Sequence, residues 1–312
     1  TFKKKMIKLS NDEKSFIKQS IKHNLREDGR ERLSYRSFSV ELGTFAQTNG
    51  SARVTLADTD VIVGIKAEVG KVHPNFPDEG IIQLEVECST SVSASFEGRG
   101  GEEMASNLKR MLSLLLSRHG SPLYQQLCII PNQLCWILHI DCLIVQSQGN
   151  LLDCLSFAIR AALQHTTLPK VNATELLPEE EDVQVGEETF MDMNTQYELE
   201  LEGDGDPESV MHLDISQFPI VISFGISEGS SIYVDATLRE EACTGARLSI
   251  AINEAAHVCS IEKFGTSIRP DMVVSCLTFA KSIAKEKLDR LNEAVSREQK
   301  KQRELHMVPV FS

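Results

Sequence analysis

The sequence lacks any run of about 18 apolar residues, so no membrane-spanning helix is expected. It contains no Cys-x-x-Cys, and no histidine pair at ligand spacing accompanies its cysteines, so a zinc site is not expected. It has no Walker loop, and Gly98-Arg99-Gly100-Gly101 lacks the glycine spacing of a dinucleotide fingerprint, so no cofactor is expected. Thr1-Phe2-Lys3-Lys4-Lys5 is basic but has no apolar stretch behind it, unlike a secretory signal. Basic charge is scarce too, the net being −13. That acidity is local: residues 175–208 hold fourteen Asp and Glu and no Lys or Arg, leaving 31 acids against 32 bases elsewhere. A near-neutral body excludes bulk electrostatic capture of nucleic acid as the main device, and any such contact has to come from a local patch or from partner chains.

The chain has 312 residues, 41 % apolar and 25 % charged, which suits one large domain or two lobes of an ordinary globular protein. Most of its eight cysteines fall in apolar runs and read as small buried residues, a usage that fits a reducing compartment. Ser10-Asn11-Asp12-Glu13 is a capping box, followed by Phe16, Ile17, Ile21 and Leu25 on one helical face. Strand patterns fill Ser34 to Cys88. Met104, Leu108, Met111, Leu112, Leu115 and Leu116 then form one helical stripe. Leu127–Ile130 and Leu134–Gln146 return to strand, and Leu152, Leu155, Ile159, Ala162 and Leu163 mark another helix. Past the acidic stretch the order repeats. Phe218–Ile226, Ser231–Asp235, Ala246–Asn253 and Val258–Phe264 read as strands, before a helix marked by Val273, Leu277, Ala280, Ile283 and Leu291. Strands followed by helices, twice, predict an α+β fold with internal duplication. The expected divisions are an N-terminal helix (1–25), lobe one (26–170), an acidic insertion (171–210), much of it a mobile loop, lobe two (211–295) and a C-terminal tail (296–312), with Lys285–Arg303 continuing the last helix and fraying.

Several constellations admit a chemical reading beside a structural one. Arg99-Gly100-Gly101-Glu102-Glu103 before a helix is either an anion site or a Gly-rich loop whose acids complement the helix dipole. Asp235 and Glu241 after a strand offer a carboxylate pair for metal or acid–base work, or a turn with an acidic helix start. Lys109, Arg110 and Arg118 are candidates for phosphate contact or for a solvated face. His139, beside Asp141 in a strand, has no serine or cysteine obviously placed for a triad and reads as a packed or surface residue.

The order of several segments resembles the RNase PH family. Arg26-Glu27-Asp28-Gly29-Arg30 is similar to its N-terminal segment. Gly50–Val54, Asp58–Val61 and Gly64–Glu68 are similar to its first strands. Phe96–Glu102, Cys135–Asp141, Gly149–Asp153, Val234–Ala242 and Lys263-Phe264-Gly265 continue the resemblance, which spans roughly residues 25–285. It implies a duplicated RNase PH-type domain with ribosomal protein S5 domain 2-like lobes. It also implies a place in the six-membered ring of the RNA exosome, among other RNase PH-like subunits, under S1/KH cap proteins and around an RNA channel. Active members phosphorolyse RNA with a Thr-Arg or Ser-Arg pair and backbone amides holding phosphate, and with acids near the scissile bond.

The chain departs from that pattern. A count back from Asp141 puts the phosphate-binding arginine position at Trp136, and an indole cannot replace a guanidinium fork. The Asp-Gly-Gly of active members reads Gln148-Gly149-Asn150, while Asp235 and Glu241 fall on the acidic positions. Archaeal relatives' channel arginines count to Leu114 and Ser117, leaving Arg99, Lys109, Arg110 and Arg118 as RNA-contact candidates. The expectation is therefore a non-catalytic ring subunit supporting 3′→5′ RNA processing and decay, with associated exoribonucleases supplying the chemistry. The resemblance places it in nucleus, nucleolus and cytoplasm. The alternative is a divergent phosphorolytic exoribonuclease using Asp235 and Glu241.

Overall fold

A computed structural model describes residues 9–89, 99–117, 120–175, 197–201, 210–227 and 231–307. The chain opens with α1 (Asn11–Lys22), whose capping box is formed: Ser10 Oγ accepts from Glu13 N, and Glu13 accepts from Ser10 N. Ile17 and Ile21 are buried, but Phe16 and Leu25 are exposed, so the inward stripe is narrower than its apolar spacing suggested. Next come β1 (Phe38–Leu42), β2 (Gly50–Leu56), β3 (Thr59–Lys71) and β4 (Ile81–Cys88). Two helices, α2 (Arg99–Leu116) and α3 (Pro122–Gln126), precede β5 (Cys128–Ile130) and β6 (Leu134–Gln146). These strands form one sheet in the order β1-β2-β3-β6-β4, with β5 beside β6; only the β4–β6 pairing is parallel.

Helix α4 (Leu151–His165) follows, buried from Leu151 to Leu163. A helix apolar on most of its circumference belongs inside, and α4 packs on β2 and β3 on one side and on the second lobe on the other. Beyond it, β7 (Thr167–Pro169), β8 (Val171–Glu175), β9 (Tyr197–Leu201) and β10 (Val210–His212) form two small antiparallel pairs, β8–β9 and β7–β10. The acidic insertion, expected to be a mobile loop over much of its length, starts and ends in regular β-structure; residues 176–196 and 202–209 lie outside the described residues. Local periodicity misses the β8–β9 ladder because its partners lie more than twenty residues apart.

Lobe two contains β11 (Ile220–Ile226), β12 (Ile232–Val234), α5 (Leu238–Cys243), β13 (Ala246–Ile252), β14 (Val258–Gly265) and α6 (Pro270–Met307). Its sheet runs β12-β11-β13-β14, all antiparallel. Met272, Cys276, Ala280, Ile283, Ala284, Leu288, Leu291 and Val295 bury one side of α6. The stretch Lys285–Arg303, expected to continue this helix and fray, is helical throughout, and α6 runs on to Met307. Gln302 Nε2 donates to Leu42 O at 2.7 Å, which docks this last stretch on β1.

β12 covers β11 only from Phe224 onward, so the earlier amides of β11 on that side need other acceptors. Helix α4 supplies them: Val221 N donates to Ser156 Oγ at 3.0 Å and Ser223 N to Asp153 Oδ2 at 3.0 Å. Arg160, fully buried, donates to Ile215 O, Phe218 O and Glu254. The polar residues of α4 thus stitch the two lobes along one buried helix.

Candidate functional site

The turn between β6 and α4 meets the turn between β12 and α5. Gly149, at φ 95°, makes the approach feasible: a Cβ there would lie 2.5 Å from Ala236 O and 2.6 Å from Leu238 N. Leu238 N donates across the seam to Gln148 O at 3.1 Å. Asp235 takes the left-handed region at φ 48°, a conformation that Asp tolerates better than most residues.

The Asp235 carboxylate is wholly buried and well supplied with donors. Arg36 donates to it from its backbone N at 2.8 Å, Nε at 2.9 Å and Nη2 at 2.7 Å. Arg30 Nη1 adds a contact at 2.8 Å, and Asn150 Nδ2 another at 2.9 Å. Burial by itself would raise the Asp235 pKa. The Arg36 hydrogen bonds and charge, with the charge of Arg30, outweigh it and hold the carboxyl below the ordinary carboxylate value. Beside it, the buried Arg26 grips Glu240 through Nε at 2.8 Å and through Nη2, and binds Val234 O and Asp235 O at 2.9 and 2.7 Å. Glu240 also closes the capping box of α5 with Thr237.

Glu241 points at the other partner of this seam. Its Oε1 accepts from Asn150 N at 2.9 Å, immediately before α4. A helix N-terminus is a natural seat for an anion; here a carboxylate of the second lobe lies at the amide just before it. The first residues of α4, Leu151 and Leu152, are apolar and buried, so they bring no hydroxyl or guanidinium there. Arg26, Arg30 and Arg36 meet Asp235 and Glu240 across the lobe boundary, while Glu241 meets the Asn150 amide.

Asp153 lies one turn into α4 and is also buried. Its Oδ2 accepts from Tyr35 Oη at 2.6 Å, Asn150 Nδ2 at 3.1 Å and Ser223 N, while Oδ1 has no partner among the described residues. Burial pushes its pKa up to about 6, against the opposing hydrogen bonds from Ser223, Tyr35 and Asn150.

The four positions read as one degenerate site do not meet. Asp235, Glu241 and the Gln148 backbone share the seam, but Trp136 pairs with Val69 while Gln146 pairs with Asp60 at the other end of β6. Ten residues of strand put Trp136 about 33 Å away. Trp136 is a buried core residue there, its N donating to Leu127 O at 2.7 Å. A count along the chain from Asp141 does not place it at the seam, because an extended strand carries each residue further from the turn.

The basic candidates also separate. Lys109 pairs with Glu85, whereas Arg110 lies over the Phe264 ring at 6.0 Å, sharing that ring with Arg247. Arg99 starts α2 in the described backbone, its side chain lies outside the described residues, and so does Arg118. Leu114 and Ser117 are exposed. His139 sits 2.8 Å from Glu68 and 33 % exposed, a surface strand pair. Arg26 and Arg30 stand in the N-terminal motif, yet nothing in that motif marks them, or Arg36, as the partners of the acids. Their separation of 199 to 214 residues from those acids leaves no local pattern to find. Among the described residues no group of three or more His, Cys, Asp or Glu is arranged to hold a metal ion. Among those residues, no helix is long and apolar enough to cross a membrane.

A sheet-and-helix lobe repeated across a buried helix, with acids at the lobe seam, is the architecture of the RNase PH class. The 3′ exoribonuclease family, domain 1, matches residues 34–169, and domain 2 of the same family matches residues 217–283. The matches cover more than half of the chain, which therefore belongs to this family. A Dictyostelium discoideum protein named as a candidate exosome complex exonuclease RRP42 is 31 % identical over 307 residues, covering 83 % of this chain and 89 % of its own. Exosome complex component Rrp42 of Thermococcus kodakarensis is 32 % identical over 247 residues, covering 79 % and 82 %. A solved Archaeoglobus fulgidus exosome with RNA bound to the active site matches the fold with a TM-score of 0.65 at 22 % identity, over 90 % of this chain and 98 % of that chain.

Proposed function

We propose that the chain is a non-catalytic ring subunit of an RNA exosome core, in which it supports 3′→5′ RNA processing and degradation by shaping the channel. The observation that carries this reading is the saturation of its acids: Asp235 is held by Arg30, Arg36 and Asn150, and Glu241 by the Asn150 amide. Phosphorolysis needs a free seat for phosphate beside acids that act on the scissile bond; here Asp235 and Glu240 are taken up by Arg26, Arg30 and Arg36, and Glu241 by a backbone amide. The resemblance to Rrp42 proteins supports placement beside other RNase PH-like subunits, beneath S1/KH caps, with rRNA maturation and mRNA turnover as the cellular work and associated exoribonucleases as the catalysts. Nucleus, nucleolus and cytoplasm follow from the same reading, as does the division at the acidic insertion 171–210. Lys109, Arg110, Arg99 and Arg118 contribute at most a few channel contacts, because Lys109 and Arg110 already have partners.

Native mass spectrometry of a tagged complex tests the assembly, and a multi-subunit ring is the expected species; a stable free monomer overturns it. The purified chain is expected to release no nucleoside diphosphates from RNA and inorganic phosphate. Release that Asp235→Ala abolishes would establish the competing reading, a divergent phosphorolytic exoribonuclease.

A further inference from the structure

Far from the lobe seam, the short strand β5 lies beside the start of β6, and its register sets Cys128 directly opposite Cys135. Trp136 N donates to Leu127 O, so the adjoining pair, Cys128 with Cys135, is the non-hydrogen-bonded kind, whose Cα atoms stand about 4.5 Å apart. Side chains opposed in this way leave the same face of the ladder. That spacing lies within the range a disulfide spans, at its short end, so the bond is formable and also readily reduced. Cys135 is buried and Cys128 half-buried, and both are free thiols. Burial is the main influence on both thiols, pushing their pKa up.

We infer that Cys128 and Cys135 form a reversible cross-strand disulfide under peroxide or disulfide oxidants, a modification site separate from the lobe seam. Cys128, the more accessible thiol, reacts first. Its thiolate displaces hydroxide from hydrogen peroxide, breaking the O–O bond and forming a sulfenic acid. Cys135 then attacks that sulfur, the S–S bond forms, and the S–O bond breaks with loss of water. Two thiols lose two electrons and two protons, and the peroxide is reduced to two waters. The bond ties β5 to β6 at a corner where packing is already tight. A Cβ on Gly80 would lie 2.2 Å from Leu127 Cβ, and Gly80 N donates to Tyr124 O at 2.8 Å. Because the thiolate is the reactive form, the raised thiol pKa values make the reaction slow at neutral pH and faster by about tenfold per pH unit as the solution becomes more alkaline.

The test uses the full chain treated with hydrogen peroxide and, separately, with oxidised glutathione, then digested without reduction. The expected product is one cross-linked peptide pair joining Cys128 to Cys135, lighter by two hydrogen atoms and absent from Cys128→Ser. The single tryptophan, next to Cys135, reports the same event: its fluorescence falls on oxidation and recovers with dithiothreitol. Cys259→Ser, a control in another strand, keeps both signals. The inference is overturned if oxidation stops at sulfinic acid or glutathione adducts on Cys128 with no intramolecular link. It is equally overturned if Cys128→Ser yields the same fluorescence change as the unaltered chain.

Discussion

The two ends of β6 do opposite work although thirteen residues of one strand join them. At the end next to α4, polar groups from both lobes lock into a buried ionic seam around Asp235. At the end next to β5, Trp136 and Cys135 sit in apolar packing with ordinary ladder hydrogen bonds. Under the proposed function, the contrast teaches that a family's motif letters can persist after their chemistry has gone. The seam keeps acids as fasteners, and the other end of the strand serves packing.

The largest effect is expected at the seam. Asp235→Ala leaves Arg30, Arg36 and the Asn150 side-chain amide without their shared acceptor in a buried setting, and urea unfolding is expected to show a loss of about 3–5 kcal/mol. An unchanged midpoint would mean the arginines hold the lobes together without it.

The second effect separates two buried carboxylates whose shifts have opposite sign. Asp235 has a depressed pKa, so its stabilisation is present above the ordinary carboxylate value and is lost as pH falls through its lower folded value. Asp153 has a raised one, so its ionised form costs stability at neutral pH. For Asp153, stability is fullest below the ordinary carboxylate pKa and declines as pH rises through about 6. A rise from the ordinary value to about 6 corresponds to roughly 3 kcal/mol. The substitution Asp153→Asn removes the titrating group, and its carbonyl oxygen can take over the hydrogen bonds that Oδ2 accepts. Urea midpoints of Asp153→Asn between pH 4 and 8 are expected to lose the fall that the unaltered chain shows near pH 6. A parallel curve would assign that fall elsewhere.

The smallest effect lies at the far end. Trp136→Phe removes part of a buried side chain and is expected to cost about 1–2 kcal/mol, with no change in the protein's response to inorganic phosphate. Phosphate binding by the unaltered chain that Trp136→Phe abolished would return Trp136 to the seam's chemistry.

Much of this architecture is legible in the sequence. The stripe from Leu108 to Leu116 faces inward as its spacing requires, and the capping box at Ser10 forms as written. The pairing of Asp235 with Glu241 is visible in their spacing, and both do belong to the seam. What they touch is not visible. Their partners Arg30, Arg36 and Asn150 are distant in sequence, so no periodicity points to them. Helix α4 hides Asp153 and Arg160 for a different reason. Its apolar positions are legible on one face, but the helix is buried on every face, so two of its charged residues are interior. Mixed charge from Lys285 to Arg303 suggests fraying, whereas a polar contact from Gln302 to β1 anchors a continuous helix.

The most direct test is Asp235→Asn in this subunit alone, within an assembled ring, read for unfolding midpoint and for phosphate-dependent release of nucleoside diphosphates from RNA. If Asp235 is a fastener, the midpoint falls and the release does not change. An unchanged midpoint with a clear drop in release would contradict the account, because the carboxylate would then be acting on RNA.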